Sequence, residues 1–180
     1  MNFIEIYDDA LSAENCDKLI DYFNNNPRSQ GMVGTYTRNP KIKKSTELDN
    51  SWFSKHQVIY DLIFHSLNTY TSKYVETYYA LQCMEEWGVD DAFTLKKFEG
   101  EDEGYKIWHT EHNKKVPNRI LVWMFYLNDA QSGTEFFNHP NIESKKGRLV
   151  IWPSFWTHYH KSALNKGIKY IMSGWYSFKQ

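Results

Sequence analysis

Cysteine is nearly absent from this 180-residue chain: there are two, Cys16 and Cys83, and they form no C-x-x-C pair. A disulfide framework and a cysteine zinc site are therefore excluded as organising features, and both thiols are expected to be reduced. No apolar run approaches the roughly 18 residues that a bilayer crossing needs, so no membrane span is expected. The opening stretch MNFIEIYDD has no basic region leading into an apolar one, and the expected location is cytoplasmic. Neither sign of charge is in excess, since 21 Lys and Arg stand against 22 Asp and Glu. That balance excludes the basic surface on which general nucleic-acid affinity depends. Proline is scarce, and no Pro-rich linker, repeat or low-complexity tract divides the chain. One domain spanning 1–180 is expected.

Aromatic residues, by contrast, make up 17% of the chain, which suits a β-rich fold with a lined cavity better than a helical bundle. FIEIY (3–7) reads as a short strand. Ser12 then precedes Cys16, Leu19, Ile20 and Phe23, whose spacing predicts a helix behind an N-cap. Residues 24–50 read as a long loop able to carry short strands or cover a site, with basic residues Arg28, Arg38, Lys41, Lys43 and Lys44. A second helix is predicted from Trp52 to about Tyr74, where Ile59, Leu62, Ile63, Leu67 and Tyr70 recur at helical spacing.

After residue 91 strands follow in quick succession: AFTLKKF (92–98), GYKIWHTE (104–111), RILVWMFYLND (119–129), TEFFN (134–138), GRLVIWP (147–153), WTHYHKS (156–162) and KYIMSGWYSF (169–178). Both faces of RILVWMFYLND are apolar, so that strand is expected to be central. The reading is mainly β with flanking helices: helical support over about 1–90, packed outside a β core over about 91–180.

WHTEH (108–112) holds two of the seven histidines. On an extended strand His109 and Glu111 point to one face, where two ligands could share one ion. Taken alone, such a pair is more often a solvated strand end. A third ligand is offered by WTHYHKS, in which His158, His160 and Ser162 alternate onto one face; either histidine would complete a set of two imidazoles and one carboxylate. Nine residues after His160 stands Lys169, which shares a face with Ile171, Ser173 and Trp175. If that face looks inward, a buried ammonium demands an anion.

These elements, in order, resemble the catalytic core of the Fe(II)- and 2-oxoglutarate-dependent dioxygenases, in the prolyl 4-hydroxylase-like branch. The H-x-E pair is followed by an R-x-x-x-x-x-x-Y-L-N strand (119–128), a shortened form of the G-G-x-T-x-F turn in SGTEF (132–136), KKGRLVIWP (145–153), a distal histidine, and GIKYIMSGW (167–175). The resemblance implies a double-stranded β-helix core of jelly-roll, cupin-like form. It also implies Fe(II) held by His109, Glu111 and His160, with His158 as the alternative to His160. Two imidazoles and a carboxylate leave positions free for the keto acid and for O2. Lys169 would pair with the far carboxylate of 2-oxoglutarate, with Tyr126, Thr134 and Ser173 as hydroxyl donors. The implied reaction is hydroxylation of a C–H bond in a peptidyl residue or small molecule by a monomer or dimer, releasing succinate and carbon dioxide, with ascorbate supportive.

Three positions depart from the family pattern. Glu111 is one methylene longer than the commoner Asp, Phe98 replaces a tyrosine that bonds the co-substrate, and the histidine-to-lysine spacing is nine from His160 or eleven from His158 where ten is usual. The H-x-S pattern before the turn favours His160. A non-catalytic β-helix binding module is the alternative reading. Trp108, Trp123, Trp152, Trp156 and Trp175 are candidate cavity walls.

Overall fold

A computed structural model describes residues 2–33 and 37–179, so the part of the 24–50 loop at 34–36 lies outside the described residues. Among the described residues twelve strands run in chain order: β1 (Glu5–Tyr7), β2 (Arg28–Gln30), β3 (Lys43–Lys44), β4 (Thr46–Leu48), β5 (Trp87–Glu99), β6 (Gly104–Tyr105), β7 (Arg119–Tyr126), β8 (Ala130–Phe136), β9 (Ile142–Ser144), β10 (Leu149–Pro153), β11 (His160–Ser162) and β12 (Ile168–Phe178). The two helices are α1 (Ala13–Asn25) and α2 (Gln57–Thr77). Among the described residues no helix is long and apolar enough to cross a membrane.

Seven strands form one antiparallel sheet in the order β1-β10-β7-β12-β5-β4-β2, and β11-β8-β9 form a smaller sheet; β3 pairs with β6. The first ninety residues thus supply edge strands of the large sheet as well as helices. Period-two alternation sorts the large sheet's side chains into two cores. Phe93, Leu95, Leu121, Trp123, Phe125, Leu127, Met172 and Tyr176 face the helices, where they meet Leu19, Phe23, Ile59, Ile63 and Leu67. Each such side chain, taken fully out of water, contributes about 1.5–3 kcal/mol. On the opposite face Phe98, Val122, Met124, Tyr126, Val150, Trp152 and Ile171 meet Phe136 and Ile142 of the small sheet. This inner face carries the chemistry.

Local signals explain the helices. The Ser12 side chain accepts from Asn15 N, capping α1 where the sequence predicts, and α2 begins after a short 3-10 turn at Phe53–Lys55. β7 is flanked on both sides by strands and buried on both faces, as its unbroken apolar run requires. Gly174, opposite Trp123 in the β12–β7 register, is needed because a Cβ there would strike the buried indole.

Two predicted strands are broken, and both breaks matter for the site. GYKIWHTE is paired as a strand only at Gly104–Tyr105; His109 makes an isolated bridge to His160, and Glu111 lies in a bend. WTHYHKS begins as a 3-10 turn over Trp156–His158 and becomes extended only from His160, so His158 and His160 do not share a strand face. In both segments backbone bonds to neighbouring loops replace a continuous ladder: Glu111 N and His112 N both donate to Ser154 O, and His158 N donates to Phe155 O.

Candidate active site

His109, Glu111 and His160 converge on the inner side, with one potential ligand atom from each lying within 4.8 Å of the others. Reciprocal backbone bonds, His109 N to His160 O at 2.9 Å and His160 N to His109 O at 3.0 Å, fasten the two histidines side by side. Each imidazole donates its Nδ1–H to a carbonyl, His109 to Ile107 O at 3.1 Å and His160 to His158 O at 2.8 Å. A carbonyl can only accept, so these bonds fix the tautomer that leaves each Nε2 with its lone pair free. Glu111 Oε1 lies 3.4 Å from His109 Nε2 and 3.8 Å from His160 Nε2. The longer glutamate therefore reaches both imidazoles from its bend. The donor set, two neutral nitrogens and one carboxylate oxygen with fixed backing, fits a divalent first-row metal.

Electrostatics point the same way. Burial alone would raise the Glu111 carboxyl, but the two adjacent imidazoles outweigh it and hold the group well below the usual carboxylate range. Burial, working against the pull of Glu111, pushes the His109 imidazole below its ordinary value, which favours the neutral ring that a metal ligand needs. Tyr105 stacks on His109 with centroids 3.6 Å apart, and Phe136 and Trp152 enclose His160.

His158 is engaged elsewhere. Its Nε2 donates to Asn2 O at 2.8 Å, its Nδ1 meets Thr157 Oγ1 at 2.9 Å, and its ring stacks on His139. It is a buried histidine that ties the chain's beginning to the turn before β11.

Lys169 is 1% exposed, on the inner face of β12. Its Nζ donates to Ser132 Oγ at 2.7 Å and to Gly133 O at 3.2 Å, and lies over the Phe98 ring. No carboxylate pairs with it among the described residues, and burial, aided by the like charge of Lys96, lowers it to about 8. A Cβ on Gly133 would collide with Ile142 O, so only glycine lets β8 and β9 approach closely behind this lysine. Tyr126 and Thr134 are bonded to one another at 2.7 Å, whereas Ser173 bonds Thr94 at 2.8 Å, farther along β12.

Several roles in the site are not foreseen by the sequence reading. Trp175 Nε1 donates to Glu111 Oε2 at 3.1 Å, and Arg119 lies 3.7 Å from the same oxygen with its guanidinium over the Trp175 ring. Ser132 supports Lys169, and Lys96 stands on the inner face of β5; the alternation Thr94, Lys96, Phe98 carries the signal that would have found it. Of the five candidate tryptophans, Trp152 and Trp175 face the site. Trp123 belongs to the helix-facing core, because odd positions of β7 face outward, and Trp156 is 80% exposed in the 3-10 turn. Basic residues of the 24–50 loop find acids nearby: Lys44 meets Asp102 at 3.0 Å, and Lys43 is buried against Glu47 at 2.6 Å.

The sequence profile of the 2OG-Fe(II) oxygenase superfamily matches residues 93–177. No curated protein matches the chain. A prolyl hydroxylase from Trichoplax adhaerens, solved with a hypoxia inducible factor oxygen degradation domain peptide fragment, has TM-score 0.77 at 14% identity over 98% of this chain and 84% of its own. The viral collagen prolyl hydroxylase of Paramecium Bursaria Chlorella virus-1, in its 2OG complex, has TM-score 0.65 at 18% identity over 98% and 97%. SnoN, a non-heme alpha ketoglutarate dependent epimerase from nogalamycin biosynthesis, has TM-score 0.68 at 10% identity over 98% and 79%. These likenesses establish the fold, a double-stranded β-helix flanked by helices. The profile match takes in His109, Glu111, His160 and Lys169, and over that stretch the chain is similar to the 2OG-Fe(II) oxygenase superfamily.

Proposed function

We propose that the protein hydroxylates a C–H bond of a peptidyl residue or small molecule, using Fe(II), 2-oxoglutarate and O2, with ascorbate supporting repeated turnover. The observation that carries this reading is the pairing, on the inner side of the large sheet, of the His109–Glu111–His160 donor set with a buried lysine that no carboxylate pairs among the described residues. His109, Glu111 and His160 would hold the metal, and Lys169 would hold the far carboxylate of the co-substrate. When bound, Fe(II) and 2-oxoglutarate together activate dioxygen, with release of succinate and carbon dioxide.

The chain's own residues bind and orient. The two Nδ1–carbonyl bonds keep both imidazoles in the metal-binding tautomer, and Trp175 and Arg119 hold the outer oxygen of Glu111. Phe98, Phe136 and Trp152 keep the pocket apolar, so the ammonium of Lys169 acts in a low dielectric, where a charge-assisted bond is strong. The prolyl hydroxylases among its structural neighbours make a peptidyl proline the first substrate to screen.

The test is succinate formation from 2-oxoglutarate by the Fe(II)-loaded protein, alone and against peptide and small-molecule libraries. Lys169→Ala is expected to keep the fold and metal affinity while losing about 2–5 kcal/mol of 2-oxoglutarate binding, the cost of an unpaired buried carboxylate. A folded, metal-loaded wild type that yields no succinate with any library member would overturn the reading.

A further inference from the structure

One charged group on the inner face of the large sheet is not used by that mechanism. Lys96 lies on β5 between Thr94 and Phe98, whose side chains face inward: Phe98 packs in the inner core and Thr94 bonds Ser173. Lys96 has the same parity and therefore the same face. Across β12, Phe98 is opposite Lys169, Lys96 opposite Ile171, and Thr94 opposite Ser173. Farther along the same face of β12, Trp175 holds Glu111. Lys96 thus lies one inward position, about 7 Å of strand, along the line from Lys169 toward the metal ligands.

On its other side Lys96 is opposite Glu47 of β4. That carboxylate is shared: its Oε1 accepts from Lys43 Nζ at 2.6 Å and from Ser45 Oγ at 3.0 Å, while its charge also acts on Lys96 through space. Among the described residues Lys96 forms no ion pair. It is half-buried, and its charge interacts with those of Lys43, Glu47 and Glu111 and with that of Lys169. An enclosed ammonium with no carboxylate in direct contact is costly, so the arrangement has room for one that arrives with a ligand.

We infer that Lys96 is a second co-substrate residue, which receives the metal-side carboxylate of 2-oxoglutarate while Lys169 receives the far one. The inference rests on the oxygenase reading. A five-carbon diacid anchored at Lys169 and extending toward His109, Glu111 and His160 passes Lys96. Its metal-side carboxylate needs one oxygen for the metal and has a second free to accept a charge-assisted bond. Phe98, with no hydroxyl to offer, lies two residues from Lys96 on the same face, and the ammonium supplies from the neighbouring position the donor that Phe98 lacks.

The test uses the full chain loaded with Mn(II), read by water-proton relaxation, which reports ligand displacement of metal-bound water and tolerates millimolar ligand. Two ligands are titrated: 2-oxoglutarate, and 2-oxobutyrate, which keeps the metal-side carboxylate and lacks the far one. Lys96→Met is expected to weaken both by a similar factor, about tenfold or more, whereas Lys169→Met weakens only 2-oxoglutarate. Lys96→Arg should recover most of the loss and guards against a folding defect in Lys96→Met. Unchanged affinity for both ligands in Lys96→Met would overturn the inference, leaving Lys96 to neutralise the Glu47 side or to meet an anionic primary substrate. A loss confined to 2-oxoglutarate would also overturn it. Failure of the Mn(II)-loaded wild type to bind 2-oxoglutarate at all would instead sink the oxygenase reading.

Discussion

The indole Nε1 of Trp175 donates to Glu111 Oε2 over 3.1 Å, leaving Oε1 as the oxygen that faces both imidazoles. A glutamate has one more rotatable bond than an aspartate, and it leaves a bend rather than a strand, so its carboxylate needs external orientation. Trp175 supplies this from one side and Arg119, stacked on the same indole, from the other.

Trp175→Phe keeps an aromatic face beneath Arg119 and removes the donor. Metal affinity is expected to fall by about tenfold, the usual scale for losing a bond behind a ligand. Titration calorimetry with Mn(II) reads this directly, and a thermal melt of the apoprotein separates it from lost stability. Full metal affinity in Trp175→Phe would mean that Arg119 alone orients the carboxylate.

The two candidate histidines make opposite predictions. His160→Ala removes a donor of the cluster and should abolish tight metal binding with little change in fold. His158→Ala leaves the donor set intact but strands Asn2 O, so it should retain metal affinity and lose about 1–3 kcal/mol of stability. Metal affinity that survives in His160→Ala and vanishes in His158→Ala would reverse the assignment.

Much of this was legible in the sequence because it depends on period and order. The α1 cap at Ser12, the doubly buried β7 and the face that Lys169 shares with Ile171, Ser173 and Trp175 all follow from spacing, and the structure turns that face inward. The division between His158 and His160 was not fixed by spacing. It depends on the 3-10 turn at Trp156–His158, whose closing bond, His158 N to Phe155 O, belongs to a local backbone path with no periodic signature. The outward position of Trp123 shows a second limit: both faces of β7 are apolar, so alternation says which residues share a face but not which core they enter. Lys96 was overlooked for a related reason. In AFTLKKF it stands beside Lys97, and adjacent lysines read as a solvated pair, although alternation sends one inward and the other out to Glu99.

Lys169 also makes pH a probe of the pocket. Burial first, and then the like charge of Lys96, lower it from 10.5 to about 8 in the ligand-free protein. The sign for stability follows from linkage: between about 8 and 10.5 the unfolded chain holds more protons on this residue than the folded chain does, so its contribution to stability rises with pH across that window. The sign for binding is the reverse. 2-Oxoglutarate needs the ammonium, so affinity should be flat below about pH 7 and then fall, approaching about tenfold per pH unit once the group is largely neutral. The melting-temperature gain that Mn(II) and 2-oxoglutarate confer over Mn(II) alone should therefore shrink between about pH 7 and about pH 9, while the apoprotein gains stability relative to Lys169→Met. In Lys169→Met that ligand-induced gain should be small throughout the range. A wild-type gain that stays constant to about pH 9 would show that the ammonium is not what holds the far carboxylate.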